Sequence, residues 1–105
     1  MTETQEQQLR KELDRGAKAR AVLDSELFQE AVKVIEDDTL TKWKISPIRD
    51  VEGREALRLK WQVIQEIVTH LKDVMMTGKM ASQELNRKLT LVERVKRSAR
   101  GLWSA

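Results

Sequence analysis

Residues 50–78 read DVEGREALRLKWQVIQEIVTHLKDVMMTG, and the class of the fold follows from this stretch. Leu57, Trp61, Ile64, Val68, Leu71 and Met75 recur at alternating steps of four and three, the spacing of one face of an α-helix. A second row, Ala56, Val63, Ile67 and Val74, lies beside the first. Two adjoining rows make a face too broad for a simple two-helix seam, so this helix is expected to pack against two neighbours. Asp50 is placed to cap its start, with Glu52 and Glu55 where the helix dipole favours negative charge. Gly78 reads as its C-terminal stop. Such a helix of roughly 27 residues spans about 40 Å.

Working outward toward the N-terminus, Ser46-Pro47 ends the preceding segment, because a residue before proline avoids the helical region. That segment is a helix expected over 24–45, capped by Asp24, with Leu23 and Phe28 spaced as a hydrophobic staple. Its stripe is Phe28, Val32 and Ile35, widened by Leu27, Ala31 and Val34. The acidic run Glu36-Asp37-Asp38 leaves open whether this helix continues to Trp43 or breaks. Before it, residues 1–22 carry only a thin stripe of Leu9, Leu13, Ala17 and Ala21, interrupted by Gly16. They read as a solvated charged helix or a mobile arm, set off from the body of the chain at 23–105. After Gly78, a further helix over 80–101 has Ala81, Leu85, Leu89, Val92, Val95 and Ala99 on its apolar side. Arg87, Arg94, Arg97 and Arg100 fall away from that side.

The expected fold class is therefore all-α: an antiparallel helical bundle of three main helices, 24–45, 51–77 and 80–101, plus a weaker N-terminal helix. A length of 105 residues suits one such domain. Aromatic residues make up 4% and there is one proline, which excludes a sandwich or barrel. Charged residues reach 35%, and the net charge of +3 is unevenly spread. Residues 1–40 hold six Lys/Arg against ten Asp/Glu, net −4; residues 41–78 hold seven against five, net +2; residues 79–105 hold seven against two, net +5. An acidic front and a basic tail suit attraction between copies, or a tail meant for an acidic partner.

Catalytic equipment is scarce. The chain has no cysteine, no tyrosine and one histidine, His70, in line with Ile67 and Val74 and expected to be half-buried and structural. One histidine without a suitably spaced carboxylate makes no zinc site, and isolated glycines make no phosphate-cradling loop. No cofactor or metal is implied, and an enzyme would need a partner's residues to complete a site. No apolar run reaches the roughly 18 residues of a membrane span, so a cytoplasmic location is expected.

Two places are candidates for contact with a partner. The turn Trp43-Lys44-Ile45-Ser46-Pro47-Ile48-Arg49-Asp50 is read first as a corner in which Trp43 and Ile48 plug the end of the bundle. It is also read as a docking corner where Arg49 and Arg54 reach a carboxylate or phosphate as planar forks. The second place is the basic C-terminal helix, with Arg87, Arg94, Arg97, Arg100, Leu102 and Trp103 as the binding residues. These could grip nucleic-acid phosphates, lie on an anionic membrane, or enter a groove on another protein. Acid and base are nearly balanced over the chain, which favours the protein groove over a dedicated nucleic-acid role.

The ordered series Leu23-Asp24-Ser25-Glu26-Leu27-Phe28-Gln29-Glu30-Ala31, Trp43-Lys44, Ser46-Pro47-Ile48-Arg49-Asp50-Val51-Glu52-Gly53-Arg54-Glu55 and Gly78-Lys79-Met80-Ala81 resembles small helical proteins of tailed bacteriophages. Those proteins are encoded among head-assembly and packaging genes. The resemblance implies a part in virion assembly, as a scaffold-like chaperone or minor structural component, acting in the host cytoplasm or the virion. It implies a phage structural protein as partner. Further copies of the chain are expected on other grounds, since the thin first stripe and the broad central face leave apolar surface for a homo-oligomer built through the N-terminal or central helix. A small-terminase-like DNA-packaging accessory is the alternative, although such proteins bind DNA near an N-terminus that is acidic here.

Overall fold

The computed structural model describes residues 3–103, with side chains described over residues 3–99. The chain is all-α, with three helices and no strand among the described residues: α1 (Glu3–Asp24), α2 (Glu26–Ile45) and α3 (Val51–Trp103). Two compact units are present, Lys18–Asp73, and Met1–Ala17 with Val74–Ala105.

The boundary between α1 and α2 is one residue wide. Ser25 adopts an extended backbone, and its Oγ accepts from the Phe28 backbone N–H at 3.3 Å. The Gln29 side-chain Nε2 donates to the Leu23 carbonyl at 2.8 Å, satisfying an acceptor that the end of α1 leaves open. The cap is thus Ser25 and not Asp24, which closes the last turn of α1 and pairs with Arg20 at 3.6 Å. With Ser25 as cap, Leu23 and Phe28 no longer have staple spacing. Residues 3–22 are helical throughout, and Gly16 does not interrupt them.

The acidic run leaves α2 unbroken. Thr39, 2% exposed, turns its hydroxyl back to the Ile35 carbonyl at 2.7 Å, and Lys42 meets Asp38 at 3.0 Å. Ser46 then ends the helix, its N–H reaching the Trp43 carbonyl at 3.2 Å. Asp50 caps α3 as expected, with Oδ1 accepting from the Gly53 N–H at 3.0 Å.

Gly78 does not stop a helix. The expected helices over 51–77 and 80–101 are one continuous α3, so the described chain has three helices where four were expected. A C-terminal glycine stop needs the left-handed conformation, and no glycine among the described residues has positive φ. Gly78 serves through its missing Cβ instead. A Cβ on Gly16 would lie 2.7 Å from the Gly78 Cα and 3.3 Å from the Val74 carbonyl oxygen. A Cβ on Gly78 would lie 2.7 Å from the Gly16 Cα and 2.9 Å from the Glu12 carbonyl oxygen. Two backbones are in contact at this point. Gly16, Gly78, Ala81 and Leu85 are buried around the crossing.

In the unit Lys18–Asp73, Phe28, Val32, Thr39 and Trp43 of α2 are buried or half-buried, as are Leu57, Ile64, Val68 and Leu71 of α3. The second row of α3 is not covered: Ala56 is exposed, and Val63 and Ile67 are each 51% exposed. The expectation of two neighbours for this face fails here. Leu27 and Val34, expected to widen the stripe of α2, are 76% and 59% exposed, and of the stripes themselves Ile35 is 40% and Trp61 37% exposed.

Candidate partner-binding surface

The last stretch of α3 is built by register. Gly16 meets Gly78, and Thr4, Gln8 and Lys11 line a groove with Glu84 and Lys88. Equal steps from the crossing lead back to Glu3, where the described part of α1 begins, and forward to Leu91. Past Leu91, α3 runs for roughly 18 Å beside no described residue of α1. Burial follows this register. Leu85 is 6% exposed, whereas every side chain over residues 89–99 is exposed, with Val92 at 49% and Val95 at 67%.

Charge sorts by face along this stretch. At 100° per residue, Val92, Val95 and Ala99 share a side with Lys88 and Lys96, and Arg87, Arg94 and Arg97 lie across the helix from them. One flat partner therefore cannot engage the apolar stripe and these arginines together. Arg87 is already committed, since its guanidinium meets the Glu84 carboxylate at 2.8 and 3.1 Å. This hydrogen bond holds Glu84 below the usual carboxylate range and Arg87 above its usual value. Arg94 and Arg97 are exposed and pair with no acid among the described residues. The side chains of Arg100, Leu102 and Trp103 lie outside the described residues, although the backbone through Trp103 continues α3.

The corner between α2 and α3 differs from expectation in two ways. Arg54 does not reach outward. Its guanidinium sits 3.9 Å from the centre of the Trp43 ring, and Nη1 donates to the Ser46 Oγ at 2.9 Å and the Ser46 carbonyl at 3.3 Å. It closes the end of α2, where carbonyls lack intrahelical partners. Ile48 plugs nothing: it is 86% exposed, beside Ile45 at 77% and Val51 at 71%. Trp43 is half-buried and Arg49 is exposed. Ile45 continues the phase of the exposed Leu27–Ala31–Val34 row, and Ile48 belongs to the turn between the two helices.

His70 is exposed, not half-buried. Among the described residues no group of three His, Cys, Asp or Glu side chains could hold a metal ion, and no helix is long and apolar enough to cross a membrane. A cleft of about 220 Å³ lined by Thr39, Leu40, Trp43, Leu57, Arg58 and Trp61 presents little polar chemistry, since Arg58 is bound to Glu55 at 2.6 Å. No family model, curated protein or solved structure matches the chain.

Proposed function

We propose that this chain is a non-enzymatic assembly protein that binds other proteins through uncovered helix faces, the last stretch of α3 foremost. The observation that carries this reading is the apolar stripe continuing past Leu85 through Val92 and Val95, exposed among the described residues. An exposed stripe at helical spacing suits a partner helix or groove, where apolar anchors supply most of the binding energy. The helices are read as an antiparallel bundle that partner helices complete. The opposed register of α1 and α3 about Gly16 and Gly78 supports this. With the phage resemblance, the role is virion assembly in the host cytoplasm or the virion.

The test is co-purification from the native host, comparing the full chain with one ending at Leu91. A specific protein retained only by the full chain supports the reading. Equal retention by both forms removes the α3 tail as the site.

A nucleic-acid role is the second reading, favoured by the uncommitted Arg94 and Arg97 on one face. It requires duplex affinity that falls steeply with salt. No gel shift at low salt retires it.

A further inference from the structure

The exposed stripe on α3 has a counterpart elsewhere on the chain. On α2, Leu27, Ala31 and Val34 form an uncovered row, with Leu27 76% and Val34 59% exposed. The row spans the same number of residues as Val92, Val95 and Ala99, so each stripe is about 10 Å long. Both have the alternating spacing that lets two helices interdigitate.

Their charges are opposite. Glu26, Glu30 and Asp37 border the α2 row, with Lys33 the only cation between Asp24 and Asp37, whereas Asp38 is already held by Lys42 at 3.0 Å. Lys96 borders the α3 stripe, Lys88 being already drawn to Glu84 at 3.7 Å, and over residues 92–103 Glu93 is the only acid among Arg94, Lys96, Arg97 and Arg100. Two α3 tails would set base against base, and two α2 rows acid against acid. Pairing one with the other relieves both while burying two apolar stripes.

We propose that residues 92–99 of α3 dock on the Leu27–Ala31–Val34 row of α2 in a second copy, joining copies head to tail. The proposal rests on the assembly reading and names its first partner. The contact uses different surfaces on the two copies, so a joined pair still has one free row and one free tail, and growth passes beyond a dimer into chains or rings.

Sedimentation velocity across the micromolar range tests this, using the full chain, Val95→Asp and Val34→Asp. Both positions are more than half exposed, so both variants should keep the parent's helical circular dichroism. Val95→Ser and Val34→Ser serve if either does not. The average mass of the parent should rise with concentration past two copies, and association should weaken several-fold at high salt. Each variant alone should stay monomeric. An equimolar mixture should stop at two copies, since one variant keeps its row and the other its tail. A parent monomeric throughout, or a mixture that stays monomeric while the parent grows, overturns the proposal. If the parent is monomeric yet the tail still retains a protein from the host, the head-to-tail contact falls and the assembly reading stands.

Discussion

Gly16 and Gly78 show how one residue type serves two purposes that local sequence does not separate. Glycine ends helices through left-handed freedom, and it also lets two backbones touch. Gly78 does the second, and its partner is far away along the chain, so the neighbouring residues offered no sign of it. Alanine at either position gains about 1 kcal/mol of helix propensity. It also drives a methyl into the backbone of the other helix, which cannot give as a flexible side chain would, at about 2–3 kcal/mol. Gly16→Ala and Gly78→Ala should therefore lower the urea midpoint despite the better helix former; a raised midpoint would show that the crossing is loose. Arg54 teaches a similar lesson. An arginine just past a turn suggests an outward hand, but the carbonyls ending α2 and the Trp43 ring occupy it first.

For the elements, periodicity was a dependable guide to what is helical and a poor one to what is covered. The Leu57–Trp61–Ile64–Val68–Leu71 row was legible because its spacing is helical whatever packs against it. Val63, Ile67, Leu27 and Val34 have equally good spacing and remain exposed, because spacing gives a face and not its occupant. The continuity of α3 was hidden by the double use of glycine. Charge pairs along α3 give a check at this scale. The Arg87 hydrogen bond lowers the Glu84 carboxyl from its ordinary 4.5. Its favourable contribution is therefore present above that value and lost as pH falls through the lowered one. A carbon NMR titration should place the Glu84 midpoint below 4.5, moving up in Arg87→Ala. A midpoint unaffected by Arg87→Ala would mean that the pair is not formed in solution.

Across the molecule, the polarity read from composition, an acidic front and a basic tail, has a structural counterpart in the two uncovered stripes. The tail arginines and the tail's apolar residues were read together as one binding surface. Among the described residues Arg94 and Arg97 lie across α3 from Val92, Val95 and Ala99, so the tail presents two separate faces. Arg87 leaves the set because Glu84 holds it, and Arg94 and Arg97 stay available.

A helix end with no neighbour to pack against is marginal by itself and frays, exposing its amides to exchange. Hydrogen exchange across residues 89–99 at rising protein concentration is therefore the most direct test of whether another copy covers this stretch. Exchange should be fast in dilute solution and slow as concentration rises, with protection appearing together at residues 27–34. Rates that stay equally fast at every concentration would contradict the account.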